Sequence, residues 1–328
     1  MVRSKMPAGC VIGVDLGGTK VLAGAVDAAL TVHHRARRLV GGTNSFELLD
    51  TVAEAVDEAR NAAPGAVAAV GVGLPAVLDA ERRTARFSTH LPLEGLPFGE
   101  QLSARVGLPV VLDNDANLAL LAELHAGVAR GARHALLLTL GTGIGGAVLI
   151  DGELLRGARG GAGELGHVVV DFDGPRCQGK CPNRGCLEVM ASGTALEREA
   201  AALAARRPGS GLAGEAMRGG RLTGPRVSEL ARAGDASAIE VLELIGRRLG
   251  TGISGLVNVF DPEIVVIGGG VVEAGELLLA PARAEVRARA LPPASGEVRV
   301  EAASFGEEAG VIGGAVLAFG SVPDRSPA

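Results

Sequence analysis

The chain has 328 residues, 47% of them apolar and 21% charged, which excludes a disordered polymer. At roughly 100–200 residues per domain, the length points to two domains or one bilobal unit. A net charge of -5, seven Phe and neither Trp nor Tyr leave no general attraction for phosphate backbones and few platforms for stacking bases, so a nucleic-acid partner is not expected.

Glycine, at 50 residues, is about twice as frequent as usual and has no collagen period, so several tight backbone sites are expected. The longest uncharged run, Asn61 to Leu78, contains Pro64, Pro75 and three glycines, so it reads as loop, strand and loop rather than a membrane span. The first residues carry no continuous apolar segment of the signal-peptide kind, and a cytoplasmic protein is expected.

In chain order, Cys10–Asp15 and Val21–Val26 read as strands about a glycine turn, Phe46–Ala63 as a helix, Ala66–Gly73 and Leu108–Leu112 as buried strands, and Asn117–Gly127 as a helix. His33 and His34 fall, with Arg35, Arg37 and Arg38, on a solvated edge strand. The opening pattern then returns: strand Ala135–Leu140, glycine loop Gly141–Gly146, strand Ala147–Ile150 and turn Asp151-Gly152. This echo predicts two lobes of related design. Residues 171–188 are irregular and cysteine-rich, and the Gly/Pro/Arg-rich stretch 207–226 reads as a mobile surface loop. Ala236–Phe260 is helical, Glu263–Gly270 and Glu297–Ala302 are strands, and Glu307–Phe319 is a last helix whose Gly310, Gly313 and Gly314 predict close packing.

Five groups of residues carry candidate chemistry. In Asp15-Leu16-Gly17-Gly18-Thr19-Lys20 a carboxylate ends a strand before a turn rich in exposed N–H groups. That suits a phosphate and Mg²⁺, and equally a hairpin turn with a capping Asp. Gly141-Thr142-Gly143-Ile144-Gly145-Gly146 matches the dinucleotide fingerprint in letters, but a strand follows it where that motif needs a helix, so a second phosphate turn is the better reading. Asp113-Asn114-Asp115-Ala116-Asn117 lies between an apolar strand and a helix. It offers a carboxylate to accept a hydroxyl proton and an amide to hold a substrate, or only a helix cap. His167 with Cys177, Cys181 and Cys186 has the composition of a Cys₃His zinc site, the alternative being buried or redox thiols beside an unrelated His. Gly268-Gly269-Gly270, ending a buried strand, suits a nucleoside close to the backbone or a tight turn. Cys10 reads as a small core residue, and His125 and His134 as structural.

These features, in this order, resemble the ROK family (repressor, open reading frame, kinase) of the actin/hexokinase superfold. The resemblance runs from Asp15–Lys20 through Gly71-Val72-Gly73-Leu74-Pro75, Asp113–Asn117, Leu140–Gly146, Glu164-Leu165-Gly166-His167, Gly185-Cys186-Leu187-Glu188, Asp261-Pro262 and Gly268–Gly270 to Ala309–Ala315. It implies an α/β, two-lobed, ribonuclease H-like fold with an interlobe cleft and ATP-dependent phosphorylation of a hexose at its 6-hydroxyl.

Asp115 matches the catalytic base. Asn114, Glu164, His167 and Glu188 match sugar-hydroxyl contacts, with Gly73 on the same side. Asp15, Gly17, Gly18, Thr19, Lys20, Gly141, Thr142 and Gly143 match the phosphate and Mg²⁺ loops, and Gly268, Gly269 and Gly270 the adenosine side. His167, Cys177, Cys181 and Cys186 match a structural Zn²⁺ site.

Two departures stand out. The run Cys177-Gln178-Gly179-Lys180-Cys181-Pro182 is two residues longer between its first cysteines than the family's Cys-x-Cys-Gly. The sugar-side loop reads Ser88-Thr89-His90-Leu91-Pro92 rather than the common Asn-Leu form. Glucose is the expected acceptor, with N-acetylmannosamine, N-acetylglucosamine, fructose and allose as alternatives. A sugar-sensing repressor is the rival class; only nine residues precede the first strand, too few for its DNA-binding domain. The expected division is a small lobe, 1–116 with 305–328, and a large lobe, 117–304, carrying the zinc loop 167–188. A homo-oligomer, a dimer, is expected of such a fold.

Overall fold

A computed structural model describes residues 9–40, 44–88 and 91–322. The chain runs β1 (Cys10–Leu16), β2 (Lys20–Asp27), β3 (Val32–Leu39), α1 (Ser45–Asn61), β4 (Val67–Leu74), β5 (Ala76–Leu78), β6 (Ala85–Ser88), α2 (Phe98–Val106), β7 (Val110–Asn114), α3 (Asp115–Ala126), β8 (Ala135–Leu140), β9 (Ile144–Ile150), β10 (Glu153–Leu154), α4 (Leu187–Ala191), α5 (Gly193–Arg206), α6 (Gly211–Met217), α7 (Gly224–Arg232), α8 (Ala236–Phe260), β11 (Ile264–Gly268), α9 (Glu276–Arg289), α10 (Ala294–Glu297), β12 (Arg299–Ala302) and α11 (Ala309–Ser321). Among the described residues no helix is long and apolar enough to cross a membrane.

Two compact units result. One holds residues up to Gly131, Ile150–Ala162 and the chain from Glu307 onward; the other holds Ala132–Leu149 and Gly163–Gly306. Helix α3 beyond residue 116 and residues 150–162, expected in the large lobe, fall in the first unit. The cause for α3 is its seat on α11, where a Cβ on Gly313 would lie 1.8 Å from the Leu118 carbonyl oxygen.

The first unit has a five-stranded sheet in the order β3-β2-β1-β4-β7, with β1 antiparallel to β2 and parallel to β4. Alternation along β1 divides its side chains between two apolar layers. Ile12, Val14 and Leu16 join Leu48, Leu49 and Val52 of α1 and Phe98 and Leu102 of α2. Val11 joins Val311, Ala315 and Phe319 of α11. Helix α1 starts at a capping box in which Asn44 and Glu47 each satisfy the other's backbone N–H.

In the second unit β9, β8, β11 and β12 lie in that order, β8 antiparallel to β9 and parallel to β11. The echo between residues 11–26 and 135–150 is therefore structural: each is an antiparallel hairpin whose first strand carries a parallel neighbour. The second glycine loop is shorter than its sequence suggests, because Gly145 and Gly146 already pair with Thr139 and Leu138.

The stretch 207–226, expected as a mobile loop, is a correction: it holds α6 and the start of α7. Ser210 caps α6 through the Ala213 N–H, Pro225 occupies the first turn of α7, where its missing N–H costs nothing, and Arg226 pairs with Glu215 across the two helices.

Helix α11 is buried almost all round, and its seat on β1 and β4 depends on absent side chains. A Cβ on Gly13 would fall 1.8 Å from the Val311 carbonyl oxygen, and one on Gly310 would fall 2.4 Å from the Asp15 Cγ. This helix start therefore shields the Asp15 carboxyl from water. Burial pushes that carboxyl up to about 6, with the Lys20 ammonium opposing and Glu307 adding to the rise.

Two predictions follow from this seat. Gly13→Ala should lose at least about 2 kcal/mol in urea denaturation, and a variant as stable as the wild type would refute the close approach. A carboxyl whose folded value lies above its unfolded one stabilises the fold at low pH and ceases to as pH rises. Relative to Asp15→Asn, the ligand-free wild type should therefore lose about 2–3 kcal/mol between pH 4 and pH 7. Parallel stability curves for the two proteins would contradict the burial of Asp15.

Candidate active site

In the first unit the turn after β1 is closed by the Gly17 N–H donating to the Lys20 carbonyl oxygen at 2.8 Å. The Lys20 ammonium lies 2.7 Å from Glu307, which Arg37 also contacts. The lysine expected among the phosphate ligands is thus held by a carboxylate at the start of the last helical segment.

At the end of β7, Asp113 and Asn117 are buried, and Asn114 and Asp115 are half-buried. The cap of α3 is Asn114, whose Oδ1 accepts from the Ala116 and Asn117 N–H groups. Asn117 does not play that part, and Asp115 Oδ1 shares the Ala116 N–H at 2.9 Å. Capping occupies the Asn114 oxygen, and its Nδ2 lies 3.4 Å from the Ala76 carbonyl oxygen. Asp115 is the first residue of α3. Gly73 on β4 faces this turn: a Cβ there would lie 2.9 Å from Leu118 Cδ1 and 3.3 Å from Asp115 Cα.

Asp113 is the residue to which the sequence reading assigned no task. Its carboxylate receives Arg156 at 2.7 and 3.1 Å, Arg82 at 3.4 Å, Asn117 Nδ2 at 2.8 Å and the Asn114 N–H at 2.9 Å. Arg82 and Arg156 were missed because an arginine between strands reads as solvated surface.

In the second unit the turn Gly141–Gly143 is held by three elements. The Gly141 carbonyl accepts from the Gly193 N–H at 2.8 Å, and the Thr142 carbonyl accepts from Thr194 Oγ1 at 2.8 Å and from Gln178 Nε2 at 3.3 Å. The third element is Glu188 on α4: its Oε2 accepts from the Ile144 N–H at 2.9 Å, and a Cβ on Gly143 would lie 2.3 Å from that oxygen. Gly269, at φ 82°, lies against Leu140 and turns the end of β11 across the end of β8.

His167, Cys177, Cys181 and Cys186 converge, with ligand atoms all within 4.8 Å of one another. His167 Nδ1 is 3.6 Å from Cys177 Sγ, and Cys181 Sγ is 3.9 Å from Cys186 Sγ. Tetrahedral Zn–S bonds of about 2.3 Å and Zn–N bonds of about 2.0 Å would space donors by roughly 3.5–3.8 Å, so the four groups fit such an ion. The longer cysteine run does not remove Cys177 from the set. Burial and the neighbouring thiols push the Cys177 thiol up, and burial does the same to Cys186. A divalent cation would reverse that preference. The other ring nitrogen of His167, Nε2, lies 4.0 Å from Glu164, whose carboxyl is raised by burial against the pull of His167.

Of the expected site residues, the first unit thus carries Asp15, Gly17, Gly18, Thr19, Lys20, Gly73, Asn114 and Asp115, and the second carries Gly141, Thr142, Gly143, Glu164, His167, Glu188, Gly268, Gly269, Gly270 and the cysteines. Thr89 and His90 of the sugar-side loop lie outside the described residues.

Known proteins are similar to this chain along nearly its whole length. The ROK family matches residues 11–320. A glucokinase of Thermotoga maritima is 36% identical over 95% of this chain and 98% of its own length. A glucokinase of Streptomyces coelicolor is 36% identical over 94% of this chain and 98% of its own. Among solved structures, a ROK family glucokinase from Streptomyces griseus in complex with glucose and AMPPNP is 35% identical, covers 94% of this chain and 99% of its own, and superposes with a TM-score of 0.85. Its fold is the fold described above, and the chain belongs to the ROK family.

Proposed function

We propose that this protein is an ATP-dependent glucokinase that transfers the γ-phosphoryl group of ATP to the 6-hydroxyl of glucose. The observation that carries this reading is the contrast between two carboxylates two residues apart. Asp113 is buried, and both its oxygens are already engaged by protein donors. Asp115 stands at the helix start, half-buried, where a hydroxyl can reach it. The glucokinases among its relatives, and the glucose and AMPPNP bound in one of them, support the same substrates.

In this reading Asp115 accepts the proton of the attacking hydroxyl as the O–P bond forms. The Asn114 amide, fixed by its cap, offers Nδ2 to a sugar oxygen. Glu164, His167 Nε2 and Glu188 contact further hydroxyls. With the Gly17 and Gly141 N–H groups closing their own turns, the amides of Gly18, Thr19, Thr142 and Gly143 face phosphate oxygens, and Gly268–Gly270 the adenosine. Mg²⁺ near Asp15 would neutralise phosphate charge. Zn²⁺ on His167, Cys177, Cys181 and Cys186 would supply cross-linking of residues 167–186, which orients His167 and the helix bearing Glu188. Three free thiols in one cluster suit the reducing cytoplasm as the place of the reaction.

Asp115→Ala should keep glucose binding in calorimetry and lose roughly 10²–10⁴-fold in kcat by ADP release; wild-type turnover would remove Asp115 from the mechanism. Purified protein should carry about one zinc ion per chain by elemental analysis, and Cys186→Ser should lose it and melt at lower temperature. Zinc-free wild type with unchanged melting on chelation would count against the metal.

A further inference from the structure

Asp113 poses a problem that the proposed reaction alone does not explain. A carboxylate 2% exposed needs its charge answered. The answer comes from Arg156, 43 residues away, whose Nε and Nη2 both reach Oδ2, and more weakly from Arg82.

Both arginines belong to constrained segments. Residues 156–162 form a closed loop in which the Ala162 N–H donates to the Arg156 carbonyl oxygen at 3.1 Å. Gly160 adopts φ 78°, with its Cα so near β5 that a Cβ would lie 2.0 Å from the Leu78 carbonyl oxygen. Arg82 itself adopts φ 56°, in the left-handed region that is unfavourable for a non-glycine residue. Strain of that kind persists where surrounding contacts over-determine it.

On the far side, Asp113 Oδ1 takes the N–H of Asn114 and the amide of Asn117. Those two residues flank Asp115. The guanidinium of Arg156 therefore sets one carboxylate, and that carboxylate sets both ends of the turn that presents the base.

We propose that Arg156 is a positioning residue for phosphoryl transfer, fixing Asp115 through Asp113, with Arg82 as its second contact. The proposal rests on the glucokinase reading. A buried ion pair adds little net stability over apolar packing, whereas it fixes direction. A displacement of about 1 Å at a reacting group can cost roughly 10²-fold in rate. Residues 156–162 also run directly into Glu164, so the loop that aligns the base continues into a proposed sugar contact.

The test compares wild type, Arg156→Ala, Arg156→Lys and Asp115→Ala in steady-state kinetics with glucose and Mg²⁺·ATP, with and without non-denaturing guanidinium chloride. Arg156→Ala should lose more than about tenfold in kcat per folded molecule, with the KM for ATP within about twofold of wild type. Arg156→Lys, which keeps the charge but not the two-pronged contact, should lose less. Free guanidinium should raise the rate of Arg156→Ala and leave Asp115→Ala unchanged.

Wild-type constants in Arg156→Ala, or a loss that tracks only the unfolded fraction and resists guanidinium, would overturn the proposal. Should Arg156→Ala fail to fold, Arg156→Lys decides: a several-fold lower kcat at unchanged KM for ATP supports it, and wild-type kinetics overturns it. A wild type that phosphorylates no glucose would instead overturn the functional reading, leaving Arg156 no such reaction to serve.

Discussion

A carboxylate removed from water at a strand end is costly unless donors surround it, and much of the first unit is arranged around meeting that need at Asp113. Strand β7 pairs with β4 so that Asp113 sits beside Gly73, with the backbone of the next turn close against that glycine. Five donors then converge on the one carboxylate, from β7 itself, α3, the β5–β6 hairpin and the loop before Glu164. Each segment is held partly by what it gives to Asp113. With Asp113 occupied, Asp115 is the carboxylate of this turn that the proposed reaction uses as its base.

Glu188 has the corresponding place in the second unit. One of its oxygens accepts from the backbone at Ile144, and the other lies 3.8 Å from Cys177 Sγ. Its helix follows immediately on Cys186, and the carbonyls of Val189 and Met190 are tied by Arg198 and Arg248, which share Glu199. The glycine turn after β8, a thiol cluster and a proposed sugar contact thus meet in one side chain. Gln178, within the lengthened cysteine run, adds a direct contact from the cysteine segment to Thr142, so the extra residues extend the cluster toward the turn instead of breaking it.

Strand alternation and β-branched runs made both hairpins readable in the sequence, and the repeated hydrophobic–glycine–hydrophobic pattern made their kinship readable as well. Gly310, Gly313 and Gly314 announced a close helix, though not that Asp15 would lie beneath its first turn. The residues 207–226 misled because Gly, Pro and Arg are frequent in loops. Their caps and the Arg226–Glu215 pair are tertiary facts that composition does not carry. Arg82 and Arg156 were invisible for the same reason: only the folded chain brings them to a carboxylate tens of residues away. Within the DNDAN run the structure gives the cap to Asn114 and the buried charge to Asp113, a division that the five letters alone do not carry.

The most direct test of the account is identification of the product by phosphorus NMR after incubation of the full chain with glucose and Mg²⁺·ATP. ADP and glucose 6-phosphate formed in equal amounts are the predicted result. ATP left intact, or split to inorganic phosphate with no phosphorylated sugar, would contradict it.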